Sequence, residues 1–430
     1  MKEWKTYRLG DIISFSSGFP NKGEFIGKGN NYLLGMGCVS FKETFLNSGM
    51  RQYSGDAPER YVAHSGDIVL ATRQQSDNLP ILGMPAIIPQ DNNDRKMIIG
   101  ANLYKVQNES EFSNGYIYWL MKSPAYIHHI KSCQTGTTVR MITKANIEDF
   151  TFKAPQKSER EKISSILWNI EEKIALNRQI NDNLEQQAQA LFKSWFVDFE
   201  PFKDCEFVDS ELGLIPEGWQ VGTYEQIIQT TISGDWGKDI ITGNYTHKVA
   251  CVRGCDFQDM SIGVRGKTPE RYILEKNYQA KRLIDNDVIV EISGGTSTIS
   301  TGRVCLINDD LLGKYNNDIV CTNFCKVVRP IQSYGAYLYY SWKYKYDCRV
   351  MFGYENGTSG IKNFQISDFL SKEPVIIPSE SSIKEFQTIV DTLQNNIQTN
   401  GSEIMKLESL RDSLLPKLMS GELEINEIDC

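Results

Sequence analysis

Hydrophobic positions along this chain alternate between two regimes. In the first, short β-branched runs are bounded by Gly, Asn and Pro: IVLAT (68–72), AIIP (86–89), VIVEI (288–292), GRVCLI (302–307) and FCKVV (324–328). Runs of that length and composition predict strands. Between them, GYIYWLMKS (115–123) and GAYLYYSWKY (335–344) are aromatic-rich at helical spacing, which predicts helices packed on a sheet rather than platforms for base stacking. In the second regime the period is heptad. Ile163, Ile166, Ile170, Ile180, Leu184 and Leu191 fall on one a/d frame, interrupted by Lys173 and Asn177. Ile383, Phe386, Val390, Leu393, Ile397, Ile404, Leu407, Leu414 and Leu418 keep a cleaner seam, with Asn400 inside it and no proline before Pro416. A seam held over about five heptads predicts a coiled coil. Some ~38 residues at about 1.5 Å each make a rod of roughly 57 Å. The two seams match in length, which predicts that they pack on each other antiparallel; a self-dimerising coiled coil is the alternative. Lys173, Asn177 and Asn400 would then fix the register at a cost in stability.

The pattern is written twice. Trp4 in EWKTYRLGDI matches Trp219 in GWQVGTYEQI, 215 positions on, and Ser17-Gly18 matches Ser233-Gly234 at 216. GCVSF (37–41) matches GCDF (254–257), pairing Cys38 with Cys255 at 217, and GDIVLAT (66–72) matches NDVIVEI (286–292) at 220. Gly136-Thr137 matches Gly357-Thr358 at 221, and NIEDF (146–150) matches QISDF (365–369) at 219. Six matches in one order with a slowly drifting offset indicate an internal repeat. PERY recurs at 58–61 and 269–272, but its offset of 211 breaks the trend and is a coincidence.

The expected fold class is therefore α/β (α+β): two similar mixed domains in tandem, separated by two long antiparallel coiled-coil helices. Expected boundaries are 1–155 for the first domain, 156–200 for the first helix, 201–218 for a linker, 219–378 for the second domain, 379–420 for the second helix and 421–430 for a tail. Charge follows the same plan. The whole chain carries −8, which is unfavourable for phosphate contact. Residues 1–155 hold 17 basic and 14 acidic residues (+3), and residues 219–378 hold 18 and 17 (+1). The acidity sits in residues 156–218, with 7 and 13 (−6), and 379–430, with 4 and 10 (−6). DNA binding by the two domains is permitted, not demanded.

At 430 residues the chain is long enough for two or three cores. No apolar run reaches the roughly 18 residues a membrane helix requires, and the start MKEWKTY lacks a signal-peptide core, so a cytoplasmic protein with reduced thiols is expected. Cys251/Cys255 and Cys321/Cys325 have the spacing of zinc-ligand pairs. Because Cys251 sits in an apolar run, these cysteines are read as small buried hydrophobes, with no metal site.

The motifs of enzymes are missing. There is no G-x-S-x-G, no G-x-x-x-x-G-K-[ST], no H-E-x-x-H and no Pro-Pro, and only four histidines. No catalytic residue is assigned. What the repeats share instead is polar, glycine-containing loops: TRQQSDNLP (72–80) and SGGTSTISTGR (293–303) after the strong strands, then QTGTTVRMITK (134–144) and ENGTSGIKN (355–363) before the matched NIEDF/QISDF elements. Arg and Gln suit bidentate base contacts; Ser, Thr and backbone amides suit phosphates. The candidate DNA-binding residues are Arg73, Gln74, Gln75, Ser76, Thr137, Thr138, Arg140 and Lys144 in the first domain. In the second they are Thr296, Ser297, Thr298, Arg303, Thr358, Ser359, Lys362 and Asn363. Ordinary surface loops are the alternative for any one of them.

LEQQAQALFKSWFVDFEPF (184–202), the GDIVLAT strand with its polar loop, and GTTVRMITKANIEDFTFKAP (136–155) closing into a long helix resemble type I restriction-modification specificity (S) subunits, and the resemblance extends to the doubled architecture. It implies a non-catalytic subunit that reads a bipartite, asymmetric sequence on double-stranded DNA, one half per domain, with the helices as spacer. Two methyltransferase (modification) subunits would dock on it and restriction/translocase subunits would join. S-adenosylmethionine, ATP and Mg would belong to those partners, with no cofactor in this chain. Acidic helices would suit basic patches on the partners. Domains that read different sequences must differ, and the second lacks the GDI…AT form. Two other classes stay open: a coiled-coil protein-interaction hub without DNA binding, which would lack salt-dependent DNA affinity, and a nuclease or methyltransferase fragment.

Overall fold

The β-branched runs become buried strands because apolar side chains on both faces can be covered only inside a layered sheet. Ile68–Ala71 and Val288–Glu291 are buried at every position. Their neighbours Pro85–Ile87, Val304–Leu306 and Cys325–Pro330 are strands as well. The computed structural model describes residues 4–76, 80–90, 95–296, 298–357 and 362–423. The chain forms two compact units, Met1–Glu172 with Leu407–Cys430, and Lys173–Lys406.

In the first unit an antiparallel sheet takes the order Ile13–Ser17, Leu103–Asn108, Ile68–Ala71, Pro85–Ile87. A second sheet runs Arg51–Tyr53, Ile26–Leu34, Met97–Ile99, Val62–Ala63, with one parallel pair. Lys5–Arg8 pairs antiparallel with Thr151–Ala154. The helix Asn114–Lys122 starts at Ser113, whose hydroxyl accepts from the Tyr116 amide at 3.2 Å. Ser123 ends it and caps the next helix, Pro124–Cys133, with Pro124 at its first position. Tyr116, Tyr118, Trp119 and Met121 are buried in the core against the sheet.

The second unit has an antiparallel sheet in the order Ile228–Ser233, Cys325–Pro330, Val288–Glu291, Val304–Leu306. Beside it are Glu270–Leu274, Tyr245–Val252 and Asp318–Cys321, and the pair Gln220–Thr223 with Pro374–Ile377. Its aromatic helix Gly335–Asp347 buries Tyr337, Tyr339, Tyr340 and Trp342. The PERY segments differ as their offset implied: Glu59–Tyr61 is a 3-10 turn, whereas Glu270–Leu274 is a strand. Residues 201–218, expected as a linker, fold into a hairpin of Phe207–Ser210 and Gly213–Pro216, turned at Gly213 with φ of 95°.

Lys157–Phe196 and Glu380–Ser420 are continuous helices. In the second, Val390, Ile397 and Ile404 are buried and Leu393 and Leu407 half-buried, as the heptad frame requires. The first corrects its frame. Ile163 and Ile170 are buried, Leu184 and Leu191 half-buried, but Ile166 is only half-buried and Ile180 is 38% exposed. The remaining seam positions are Leu167, Ile174, Asn181 and Ala188, all buried. The steps run four then three residues rather than three then four. Apolar residues alone selected the wrong alternation, because part of this seam is polar. Asn177 donates to Glu403 at 2.8 Å, and Asn181 accepts from Asn400 at 2.8 Å and donates to the Ile397 carbonyl at 3.2 Å. These satisfied amides leave little choice of register. Lys173 lies outside the seam, 3.6 Å from Glu403.

Candidate nucleic-acid interface

The two polar loops of the first unit meet. Beyond the buried strand Ile68–Ala71, Arg73–Gln74 pairs antiparallel with Arg140–Met141, Gln74 opposite Arg140 and Arg73 opposite Met141. The Ile142 amide continues the ladder to the Thr72 carbonyl at 3.2 Å. Thr135 and Met141 exchange backbone bonds of 3.0 and 2.8 Å around a tip that turns at Gly136, φ of 92°. Thr137 and Thr138 are exposed at that tip. Arg73 is exposed, and its guanidinium meets no ion-pair or hydrogen-bond partner among the described residues. Gln75 and Ser76 are exposed beside it. Arg140 is half-buried and donates to the Gln134 side chain at 3.3 Å. Lys144 stands 5.3 Å from the centroid of Tyr104, at the start of the short helix Lys144–Glu148.

Gln74 is the exception in this group. Its side chain is buried and accepts from the Leu82 amide at 3.3 Å. Alternation within a strand sends it inwards while Arg73 points out, so Gln74 anchors the loop.

In the second unit Ser293–Gly294 pairs with Lys362–Phe364, which also pairs with Glu355–Asn356. Thr296 closes a turn by accepting from the amides of Thr298 and Ile299 at 3.2 and 3.0 Å. Thr298 and Asn363 are exposed; Ser297, Thr358 and Ser359 lie outside the described residues. Two cations proposed from the sequence are committed internally. Arg303 grips the Glu291 carboxylate through two bonds of 2.8 and 2.7 Å. Lys362 donates to Glu355 at 2.6 Å. Glu355 also receives the amide and hydroxyl of Thr301 at 2.6 and 2.9 Å. Burial works against its charge, but the bonds from Lys362 and Thr301 outweigh that and hold its pKa below the usual carboxylate value. These two cations brace the small sheet.

A cavity of about 440 Å³ beside Ser293 is lined by Trp236, Phe324, Arg253, Glu291, Thr322 and Asn323. Sequence reasoning missed it, because lone aromatics in loops carry no periodic signal. Among the described residues no group of three or more His, Cys, Asp or Glu is placed to hold a metal ion. Cys251, Cys321 and Cys325 are buried and Cys255 is exposed. Among the same residues no helix is long and apolar enough to cross a membrane.

Residues 1–186 match the family described as the type I restriction modification DNA specificity domain. The chain is 25% identical over 326 positions to the MjaIX specificity subunit of Methanocaldococcus jannaschii, covering 73% of this chain and 70% of that protein. It is 25% identical over 487 aligned positions to the HindI specificity subunit of Haemophilus influenzae, covering 98% and 100%. Its fold is similar to the crystal structure of the S subunit of the type I restriction-modification system from M. genitalium, with a TM-score of 0.53 at 15% identity over 97% of this chain and 96% of that one.

Proposed function

We infer that this chain, which belongs to the family of type I restriction-modification specificity subunits, supplies the DNA sequence recognition of such a complex. The observation that carries the reading is the meeting of the polar loops. In each unit the segment after the strongest buried strand pairs with the segment before the matched NIEDF/QISDF element. Residues far apart in sequence thereby form one small, partly exposed sheet in each unit, and loops fixed on a rigid scaffold are where binding residues concentrate.

The finer reading is that the units carry two copies of one recognition domain, each reading one half of a bipartite, asymmetric target on double-stranded DNA. Recurring strand order and the matched glycines support it: Gly18 and Gly234 each lie so close to a backbone carbonyl, of Gly100 and of Thr322, that a Cβ would collide. The two long helices form the antiparallel coiled-coil spacer that sets the gap. At about 1.5 Å per residue each is roughly 60 Å long, against about 34 Å per turn of DNA. Two methyltransferase subunits dock on the chain, and restriction/translocase subunits join them. S-adenosylmethionine, ATP and Mg are bound by those partners, this chain performs no chemistry, and the complex works in the cytoplasm. A protein-interaction hub without DNA binding does not account for the family match.

The test is genomic. Long-read sequencing maps methylated adenines in a host carrying this chain with its neighbouring methyltransferase, and in a deletion of this chain alone. A two-part motif with a fixed gap, lost on deletion, is expected. Methylation unchanged by the deletion would overturn the reading.

A further inference from the structure

We propose that the second unit, besides reading paired base edges, holds a pocket for one nucleobase everted from the duplex, stacked against Trp236 and Phe324. The inference rests on the DNA-reading role above and adds a distortion of the DNA by the specificity subunit itself.

A nucleobase has two apolar faces and a rim of donors and acceptors. The residues that line the cavity beside Ser293 include both kinds of surface: aromatic Trp236 and Phe324, and polar Glu291, Asn323 and Arg253. Reading base edges in a groove needs outward side chains and no void, whereas an extrahelical base needs a cavity with stacking walls and polar edges. The two aromatic residues are also held in place. Buried Arg271 packs its guanidinium 4.3 Å from the centroid of Trp236 and donates to the Trp236 carbonyl at 2.8 Å, while pairing with Asp239. Phe324 sits on a turn closed from the Cys325 amide to the Thr322 carbonyl at 2.9 Å, and its own carbonyl accepts from Ile292 at 2.9 Å. An aromatic ring left 65% exposed on so constrained a turn contributes little to the core. Arg253 is equally fixed, since it grips Asp256 through bonds of 3.1 and 3.0 Å.

Eversion leaves a gap in the base stack that an apolar side chain can fill. Ile240 and Ile241, 71% and 60% exposed, follow Trp236 in the same loop, which the Asp239–Arg271 pair ties down. The first unit has Pro20 at the 216 offset from Trp236, and Asn102 precedes its strand Leu103–Asn108 as Phe324 precedes Cys325–Pro330. The pocket therefore belongs to one half-site only.

The experiment titrates the full chain, assembled with its methyltransferase subunits, with target duplexes carrying a mismatch at one position at a time through the half-site read by the second unit. A mismatch removes the pairing that eversion must break. One position other than the methylated adenine should bind about 10-fold tighter when mismatched. Trp236→Ala and Phe324→Ala should each abolish that gain and weaken the matched duplex about 10-fold; Trp236→Phe should retain both. If every mismatch is neutral or weakening, or both alanine variants bind as the parent does, the pocket does not take a base. Saturable binding of free adenosine or cytidine without DNA, lost in the same variants, would assign the cavity to a free nucleoside and overturn eversion. Failure of the unaltered complex to bind any duplex would instead remove the DNA-reading role itself.

Discussion

Arg73 and Arg303 follow the buried strands Ile68–Ala71 and Val288–Glu291 but differ in what they can offer a ligand. The Arg73 guanidinium is open to solvent, while Arg303 is held by both oxygens of Glu291. Arg73→Ala should weaken reading of one half-site by about 1–3 kcal/mol, measured with duplexes altered in one half at a time, and leave the other half unaffected. Equal loss on every sequence would make Arg73 a phosphate contact. Arg303→Ala should act on stability, because it strands the nearly buried Glu291 carboxylate; a lower urea midpoint is expected. Glu355 adds a pH dependence. Its folded pKa lies below the unfolded one, so its stabilisation is complete above the unfolded value and is lost as pH falls through the folded one. Glu355→Gln should flatten the acid side of a stability-against-pH profile measured by chemical denaturation, while neutral pH shows only the loss of the Lys362 tie. Sequence pattern located these residues because Arg, Thr and Gly cluster after β-branched runs. It could not separate open cations from paired ones: Glu291 lies 12 positions from Arg303, and only the folded sheet brings them together.

The long helices were legible where their seams are apolar and misread where they are polar. Ile166 and Ile180 drew the first frame because they are isoleucines, yet Leu167 and Asn181 occupy the seam. The cost of a buried amide is offset by partners on the other helix, which no single-helix periodicity records. The same holds for Arg411, at a seam position of the second helix, buried and 2.7 Å from buried Glu171. Arg411→Met alone should cost about 3–5 kcal/mol in chemical denaturation, since it leaves a buried carboxylate unpaired. Arg411→Met with Glu171→Leu should recover most of that. A double variant as unstable as the single would mean that the ion pair itself, rather than the cost of stranding one charge, stabilises the helices. The acidic surface of the first helix is a separate matter. Reversing its exposed charges along residues 157–193 should weaken assembly with the methyltransferase in pull-down at low salt; unchanged assembly would detach docking from charge.

At the scale of the whole chain, six ordered matches point to a repeat, and some of the residues involved are ones the fold cannot exchange freely. Gly18 and Gly234 meet backbone where no Cβ fits, and Trp4 and Trp219 stand where each repeat begins. The loops between the matched segments share little sequence, and so their chemistry had to come from the structure. If the two helices set the gap between half-sites, that gap is a length written in helical residues. Inserting seven residues into each helix preserves the seam, since seven residues complete two turns of the a/d pattern, and lengthens the pair by about 10.5 Å. Base pairs lie about 3.4 Å apart along DNA, so the methylated motif should keep both half-sequences and gain about three base pairs between them. Inserting two residues instead rotates every later seam residue off the interface and should abolish methylation rather than shift it. Long-read methylation mapping distinguishes the outcomes directly. A heptad insertion that leaves the gap unchanged would show that the partners, not these helices, hold the half-sites apart.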